Sequence, residues 1–332
     1  LVAYYYAQLL EFYGSFPLVT QYYGIDSTYE ELMLERTPFE EIVGWLDSEL
    51  LDLASQLPVE LKNISEDHGR ATKGMALAVR AHVHMLAASP LFNGNAMYAD
   101  IRNADGTPLF PQTYDKEKWK RAAAAVKDIF DLGVYSLYKQ YNEDGTLDPF
   151  LSYMNIHFAT GAANPELIFI NNNCNYAEAD QNMAPHGYGD GNGAYGATQN
   201  LVDAFQTING YDVTLTANGW ECDDPEFDPA RPYDNRDPRF ARTILANGMD
   251  FKGTKIETFV GGADYSATRN DLGTVTGYYL RKYVNEATSF TPEATAEYKH
   301  HWVIYRYAET ILTYAEAVNE YLKSPVASDA EF

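Results

Sequence analysis

The pattern of apolar and polar residues near the end of the chain predicts a helix over residues 306–320. Its apolar side chains follow one another at alternating steps of four and three residues, as one face of an α-helix requires. They are Tyr307, Ile311, Tyr314, Val318 and Tyr321. Three alanines in the same stretch would let a neighbouring helix approach closely. We therefore expect one half of a helix pair, whose partner helix follows Phe332.

The beginning of the chain also carries helical patterns. Residues 1–13 predict an apolar, tyrosine-rich helix that ends at Gly14. The run Thr37-Pro38-Phe39-Glu40 fits a capping box with proline at the first helical position. Apolar residues at helical spacing continue from there to Leu57, so a second, amphipathic helix is expected over this stretch.

Two more helices are predicted before residue 134. Residues 73–88 are apolar on almost every side, which indicates a central buried helix that ends at Ser89-Pro90. Asp115 is expected to cap a further helix that ends at Gly133. In that helix the inward-facing side chains would be Trp119, Ala122, Val126 and Ile129.

The middle of the chain has a different composition. Residues 171–197 are rich in Asn, Gly, Tyr and Asp, and predict a long irregular segment that is either disordered or functional. A short helix is expected at 198–205 and a second loop region at 209–235. Strand-like stretches lie at 165–170, 241–247, 254–260 and 275–284. The whole pattern predicts a mainly α-helical fold with a few short strands.

Charge and hydropathy exclude several classes of partner. The chain has 24 Lys and Arg against 47 Asp and Glu, a net charge of −23, which disfavours nucleic-acid phosphates and anionic membrane surfaces. No apolar run is long enough to span a membrane. Tyrosine is abundant, with 27 residues against 4 Trp, and offers flat apolar faces that carry a hydroxyl.

Cysteine and histidine do not form a recognisable metal motif. Cys174 and Cys222 have no CxxC spacing and could be paired or free. His82 and His84 are two residues apart on a predicted helix and point to different sides, and the adjacent His300-His301 lacks a third ligand. We therefore expect no zinc site.

Five short motifs follow one another from residue 70 to residue 317. They are Arg70-Ala71-Thr72-Lys73-Gly74, Asn200-Leu201-Val202-Asp203-Ala204-Phe205, Asn235-Arg236-Asp237-Pro238-Arg239-Phe240, Arg281-Lys282-Tyr283, and Arg306-Tyr307-Ala308-Glu309 with Tyr314-Ala315-Glu316-Ala317. Together, and with Tyr13-Gly14-Ser15-Phe16-Pro17-Leu18, they resemble the SusD/RagB family of Bacteroidetes cell-surface nutrient-binding lipoproteins. Each motif alone is weak, but their order is specific.

The resemblance implies a fold and a function. Family members have tetratricopeptide-like helix pairs that support a loop-rich ligand face, although no regular repeat is visible in this sequence. They are lipid-anchored at the outer membrane and cover a SusC-type TonB-dependent transporter. We expect a single SusD-like domain over 1–332, incomplete at both ends. It would comprise a helical scaffold at 1–133, a loop-rich ligand-binding region at 134–300 and a scaffold helix at 301–332.

The charged motifs are interpreted as structural. In Asn235-Arg236-Asp237-Pro238-Arg239, two guanidinium groups surround one carboxylate, which suits a bidentate ion pair after a turn. Arg306 and Glu309, one helical turn apart, are expected to pair on the scaffold, and Arg281 and Lys282 are expected to be scaffold residues on a strand.

The irregular loops carry the candidate ligand site. A sugar ring stacks on aromatic faces while its hydroxyls need amide and carboxylate partners. The candidates that supply this mixture are Tyr176, Gln181, Asn182, His186, Tyr188, Asp190, Asn192, Tyr195 and Trp220. The alternative is that these tyrosines only pin a long loop onto the helices.

Calcium and catalysis are the remaining possibilities. Asp223, Asp224, Glu226 and Asp228 form an oxygen-rich run that is a weak Ca²⁺ candidate, because it lacks the spacing of a calcium loop. The preferred interpretation is a non-catalytic protein that binds an oligosaccharide and needs no cofactor. A peptide-binding member of the same family and a helical glycoside hydrolase with two opposed carboxylates are the alternatives.

Overall fold

The structure, a computed structural model, describes residues 1–159, 161–172, 176–187, 191–266, 273–287 and 301–323. Its α-helices are α1 (Val2–Tyr13), α2 (Tyr29–Leu32), α3 (Phe39–Gln56), α4 (Ile64–Asp67), α5 (Lys73–Ala88), α6 (Glu117–Phe130), α7 (Pro149–Asn155), α8 (Tyr176–Met183), α9 (Gln199–Asp203), α10 (Phe240–Thr243) and α11 (Tyr307–Leu322). Single 3₁₀ turns lie at Ala96–Tyr98 and Gly161–Ala163.

The strands are short and occur in pairs. They are β1 (Gln140–Tyr141), β2 (Leu147–Asp148), β3 (Leu167–Asn171), β4 (Thr214–Thr216), β5 (Gly219–Glu221), β6 (Ile244–Leu245), β7 (Asp250–Phe251), β8 (Thr254–Lys255), β9 (Tyr279–Leu280) and β10 (Trp302–Arg306). The pairs are β1 with β2, β3 with β10, β4 with β5, β6 with β9, and β7 with β8. The prediction of a mainly helical fold with few short strands is confirmed.

The chain forms two compact units. The first comprises Leu1–Leu137, Pro165–Ile170 and the described residues from Val303 onward. The second comprises the described residues of Tyr138–Asn164 and Asn171–Trp302. The expected single domain stays a prediction. No helix in the described part of the chain is long and apolar enough to cross a membrane.

Helix α5 is the centre of the first unit. It packs against α1, α3, α6 and α11, and apolar residues around its whole circumference are buried. The hydroxyl of Thr72 accepts a hydrogen bond from the backbone N–H of Met75 at 3.2 Å and caps its start. The backbone of Ser89 is extended and ends it. The central buried helix predicted over 73–88 is therefore confirmed.

The predicted capping box at Thr37 is wrong. Helix α3 begins after Pro38 without a side-chain cap, because the Thr37 hydroxyl accepts from the backbone N–H of Leu18 at 3.1 Å. A capping box is present instead at α2. There Thr28 and Glu31 exchange side-chain to backbone hydrogen bonds of 3.3 and 2.8 Å. Long-range pairing of the segment that contains Thr37 has overridden the local motif.

Helices α6 and α11 form a pair through small side chains. Ala122 and Ala123 of α6 and Ala317 of α11 are fully buried in one cluster with Trp119. The prediction that α11 is half of a helix pair is correct. However, a partner, α6, precedes α11 in the sequence, whereas the partner was expected beyond Phe332.

The buried face of α11 differs from the predicted stripe. Ile311 is 39% exposed and Leu312 69% exposed, whereas Thr310 is only 7% exposed. The predicted pair of Arg306 with Glu309 is also wrong, since Arg306 donates to the carboxylate of Glu166 at 2.7 Å. Glu166 itself is buried at the start of β3, where its backbone carbonyl accepts from the N–H of Tyr307 at 2.8 Å. This ion pair therefore joins the entry of β3 to the beginning of α11.

The second unit is built around two apolar clusters. One contains Leu245, Phe251 and Tyr279, and the other Val202 and Phe240. Two loop predictions are corrected there. Helix α8 lies within the stretch predicted to be irregular at 171–197, and an antiparallel hairpin of β4 and β5 lies within the loop predicted at 209–235. Its tight turn places Leu215 opposite Trp220.

A charge network connects three helices of the first unit. Arg80 of α5 donates to Asp47 of α3 at 2.6 Å and to Asp128 of α6 at 2.7 Å, and His84 donates to Asp47 at 2.6 Å. Burial lowers the pKa of His84, and its hydrogen bond to Asp47 offsets this only in part. Burial raises the pKa of Asp47, but the hydrogen bonds from His84 and Arg80 outweigh it, so the net shift is downward.

The network predicts that acid destabilises the first unit through His84. In the unfolded chain this residue has an ordinary pKa of 6.5, above its folded value, so the unfolded state binds the proton first as pH falls. The free energy of unfolding should therefore decline as pH drops below 6.5. Denaturant unfolding of wild type and His84→Asn from pH 7.5 to 5.5 checks this, with a shallower pH dependence expected for the variant. His82→Asn on the same helix is the control, and equal slopes for wild type and His84→Asn would contradict the prediction.

We predict that a methyl group added at two helical glycines has opposite effects on stability. A Cβ at Gly44 of α3 meets nothing within 4 Å, so Gly44→Ala should stabilise by about 0.5–1 kcal/mol through the lower entropy of the unfolded chain. A Cβ at Gly74 of α5 would lie 1.9 Å from the hydroxyl and 2.7 Å from Cζ of Tyr135. Gly74→Ala should therefore destabilise by about 1–3 kcal/mol. Thermal and denaturant unfolding measure both, and a gain in stability for Gly74→Ala would contradict this packing.

Candidate functional site

A cleft with a cavity volume of about 1110 Å³ opens in the second unit. Phe150 of α7 and Trp220 of β5 contribute aromatic rings to it. Most of the remaining lining comes from residues 229–238, 240–242 and 247–250, together with Lys255 and Arg281. The cleft therefore combines aromatic faces with a dense set of charged and amide groups, and its volume lies slightly above the usual range of small-molecule sites.

Arg236 holds the wall of the cleft in place. Its side chain is only 5% exposed and donates to the backbone carbonyls of Val202 at 2.7 Å, Phe205 at 3.1 Å and Pro232 at 3.0 Å. These bonds tie the end of α9 to the segment that leads into α10. Burial lowers the pKa of Arg236. Asn235, just before it, has a positive φ of 53°, which asparagine tolerates better than most residues.

The ion pair predicted in the Asn-Arg-Asp-Pro-Arg motif is only half correct. Arg239 pairs with Asp237, with Nε at 3.0 Å from Oδ1 and Nη2 at 2.5 Å from Oδ2. The hydrogen bond from Arg239 lowers the pKa of Asp237. Arg236 takes no part in this pair, because its donors are used by backbone carbonyls. The two arginines of the motif thus have different roles.

Three aromatic rings meet at one side of the cleft. Trp220 packs edge-to-face on Tyr233 with ring centroids 5.7 Å apart, and Tyr233 stacks on Phe240 at 6.0 Å. Trp220 and Tyr233 are half-buried, so each keeps part of its surface in solvent while its neighbours fix its orientation. Such supported rings are suited to stacking against the apolar face of a ligand.

Most cations of the cleft have a carboxylate partner. Lys255 lies 2.8 Å from Asp250, and Arg281 lies 2.6 Å from Glu286. Arg231 contacts Asp228 at 2.9 Å and Asp234 at 3.4 Å. Arg281 also donates to the backbone carbonyl of Ala241 at 3.1 Å. This side chain therefore crosses between β9 and α10, in agreement with the scaffold role expected for it.

The predicted ligand residues that follow α8 lie together on one loop. Asn192 donates from its backbone to the carbonyl of Gln181 at 2.7 Å and from its side chain to Oδ1 of Asn182 at 2.9 Å. Nδ1 of His186 lies 2.5 Å from the carbonyl oxygen of Gly191. These hydrogen bonds connect Asn192 to the end of α8 and His186 to Gly191, and they do not decide whether the tyrosines bind a ligand or pin the segment onto the helices. The ring of Tyr195 remains 51% exposed.

Trp220 lines the cleft, whereas the cleft lining contains none of the described candidates of residues 181–195. The segment after α8 contributes to both apolar clusters, since Ala184 packs with Tyr279 and Ala197 with Phe240, and Trp220 packs against the second cluster. That the nine candidates form one ligand site stays a prediction. Tyr188, Asp190 and the side chain of Tyr176 lie outside the described residues.

The acidic run that follows β5 is engaged in protein contacts. The carboxylate of Asp224 accepts from Thr207 Oγ1 at 2.6 Å and from Asn209 Nδ2 at 3.1 Å, and the hydrogen bond from Thr207 lowers its pKa. Asp228 accepts from Arg231 at 2.9 Å. Within the described residues, no group of three or more His, Cys, Asp or Glu is arranged to hold a metal ion. Calcium binding by Asp223, Asp224, Glu226 and Asp228 stays a prediction.

Several cleft residues were not found by sequence reasoning. Tyr233 stands two residues before the Asn-Arg-Asp-Pro-Arg motif, and its position within the same predicted loop as Trp220 is the one signal that could have suggested it. Phe150 and Arg242 are far apart in sequence, and no local pattern indicates that they meet. Cys222, in the same part of the unit, accepts from the backbone N–H of Asp224 at 3.4 Å, while Cys174 lies outside the described residues.

Comparisons with known proteins agree on one family. A sequence model of the SusD family matches residues 160–329. The solved structure named BT4246 is 24% identical with a TM-score of 0.75, covering 97% of this chain and 63% of its own. A SusD-like carbohydrate binding protein (BF0978) from Bacteroides fragilis is 25% identical with a TM-score of 0.65, covering 96% and 53%.

A third solved structure is less identical in sequence but matches a similar share of the chain. A SusD-like protein (BF3747) from Bacteroides fragilis is 22% identical with a TM-score of 0.63, covering 96% of this chain and 56% of its own. This chain thus spans less than two thirds of the length of these proteins. No curated protein sequence matches it.

Proposed function

Because this chain belongs to the SusD family, we propose that it is a non-catalytic binding protein that captures an oligosaccharide at the cell surface. The observation that carries the proposal is the cleft of the second unit, in which supported aromatic rings stand beside amide and charged groups. The likeness to a SusD-like carbohydrate binding protein of Bacteroides fragilis supports the choice of ligand class.

The chemistry of the cleft suits a saccharide. Trp220, Tyr233 and Phe150 offer ring faces on which the C–H patches of a sugar can stack. The side chains of Asn235 and Asn247 line the same cleft and can exchange hydrogen bonds with hydroxyl groups in both directions, because an amide both donates and accepts. A ligand of several sugar units would meet both kinds of surface in a cavity of about 1110 Å³.

One carboxylate of the cleft favours binding over hydrolysis. A glycosidase needs one carboxyl group whose pKa is raised, so that it can act as a general acid. The hydrogen bond from Arg239 instead lowers the pKa of Asp237, which favours the ionised form. Asp234 and Asp250 are engaged in ion pairs at 3.4 and 2.8 Å.

Partner and location complete the proposal. We propose that the whole protein is a lipid-anchored protein of the outer membrane, exposed at the cell surface, and that it passes its ligand to a SusC-type TonB-dependent transporter. Membership of the family is the support for both statements. A pull-down with the full-length protein from outer membranes would test the assembly: a SusC-type transporter should co-purify, and its absence would contradict the proposed partner.

The proposed cleft predicts that removing one ring weakens saccharide binding. Trp220→Ala should raise Kd between about twofold and tenfold for any oligosaccharide that binds, and Trp220→Phe should retain most of the affinity. Calorimetry against a panel of neutral and acidic oligosaccharides and short peptides measures this. Tyr22→Ala, which removes an almost fully exposed ring in the first unit, is the control, and Tyr195→Ala tests the loop after α8.

Four results would contradict the proposal. Unchanged affinity of Trp220→Ala would remove the cleft as the site, and a loss confined to Tyr195→Ala would move the site to the loop. Binding of peptides without any oligosaccharide would favour the peptide-binding alternative. Release of reducing sugars from a bound polysaccharide would show that the protein is an enzyme. Because Trp220 packs on Tyr233, melting temperatures are needed to separate lost binding from lost packing.

A further inference from the structure

We propose that the cleft of the second unit selects oligosaccharides that carry carboxylate groups, and that the guanidinium of Arg242 binds the carboxylate. The inference rests on the proposed function, because it specifies the ligand class of the same cleft. Three observations support it: the charged side chains that line the cleft, the contacts of the buried Arg236, and the contacts of Arg242.

The charge of the cleft is opposite to that of the chain. The protein as a whole has a net charge of −23, yet five cationic side chains and three acidic ones line the cleft. The pairs of Lys255 with Asp250 and of Arg281 with Glu286 are locally neutral, and Arg231 is held between two acids. Arg236 and Arg242 are the two cationic side chains of the lining that take no part in these ion pairs.

Arg236 contributes a positive charge, and among the described residues no carboxylate lies within ion-pair distance of it, although Asp203 acts on it electrostatically from farther away. Its hydrogen-bond donors are satisfied by backbone carbonyls, which are partial dipoles and do not cancel a full charge. The ring of Phe240 lies 5.0 Å from its guanidinium carbon. The side chain is buried and cannot itself reach a ligand, but its field favours an anion in the adjoining cleft.

Arg242 is the group that could contact the anion. It is half-buried in the cleft lining, and among the described residues no carboxylate lies within ion-pair distance of it. Its Nη1 donates to Sδ of Met154 at 3.3 Å, which is a weak acceptor, and its guanidinium carbon lies 5.5 Å from the ring centroid of Phe150. A guanidinium has five N–H donors, so most of its donor capacity is unused by these contacts.

The surroundings of Arg242 favour a carboxylate on a sugar ring. A planar guanidinium fork matches the two oxygens of a carboxylate and binds them in a bidentate manner. The ring of Phe150 lies 5.5 Å from the guanidinium carbon, and Trp220 and Tyr233 supply stacking surface in the same cleft. Uronic acid residues combine the two features that this lining would recognise, namely a pyranose ring and a carboxylate attached to it.

The experiment compares acidic oligosaccharides with their own neutral esters. Hexamers of galacturonic, mannuronic and glucuronic acid, and the carboxyl methyl ester of each, are titrated calorimetrically into the wild-type protein. At least one acid should bind about tenfold more tightly than its ester, which is the value of one good charge-assisted contact. In Arg242→Gln the preference should fall to about twofold or less, while the affinity for the ester stays nearly unchanged.

Matched variants distinguish the contact from general charge. Arg242→Lys should keep part of the preference, because it retains the charge without the planar fork. Arg70→Gln removes one positive charge from an exposed side chain of the first unit, outside the cleft, and should leave the preference intact. Melting temperatures confirm that the variants are folded. A preference that survives in Arg242→Gln, or that Arg70→Gln removes equally, would overturn the assignment.

The remaining outcomes separate this inference from the proposed function. Equal affinity for every acid and its ester, with neutral hexamers bound, would overturn the carboxylate preference and leave saccharide binding in place. A sulfated galactan hexasaccharide that binds more tightly than every uronic acid hexamer would overturn it in favour of sulfate. Failure of every saccharide to bind would overturn the proposed function itself.

Discussion

The buried guanidinium of Arg236 is the interaction on which the candidate site depends. It donates hydrogen bonds to the backbone carbonyls of Val202, Phe205 and Pro232, and so joins the end of α9 to the segment that forms the wall of the cleft. The described strands β4, β5 and β6 are only two or three residues long. The bonds to the carbonyls leave Arg236 without an ion-pair partner among the described residues, so its positive charge contributes to the cleft, although Asp203 acts on it from farther away.

The first unit is stabilised by a different balance of forces. Helix α5 is buried on all sides, and its two polar side chains that face inward, Arg80 and His84, both meet Asp47 of α3. These contacts add charged interactions to the apolar packing of α5 against α3 and α6. Alanines allow α6 and α11 to approach closely outside that network. In the second unit, apolar clusters are supplemented by side-chain to backbone bonds such as those of Arg236.

Much of the fold could be predicted from the sequence, and the predictions that were wrong have a common cause. Residues 73–88 were predicted correctly because burial on every side leaves a continuous apolar signal. The capping box at Thr37 was wrong because its hydroxyl is used by Leu18, a residue from another segment. The pair of Arg306 with Glu309 was wrong for the same reason, since Glu166 takes the guanidinium. In each case a distant group had replaced the local partner.

The candidate site was predictable only in its chemistry. The sequence by itself determined that aromatic, amide and acidic residues concentrate in the loops of residues 171–235, and Trp220 does line the cleft. Only the tertiary structure decided that Phe150 and Arg242 line the same cleft. It also decided that Arg239 has a carboxylate partner, whereas Arg242 has none within the described residues. Periodicity and spacing report the neighbours of a residue along the chain. The charge that a side chain keeps depends on partners brought to it by packing, and these come from segments far away in sequence.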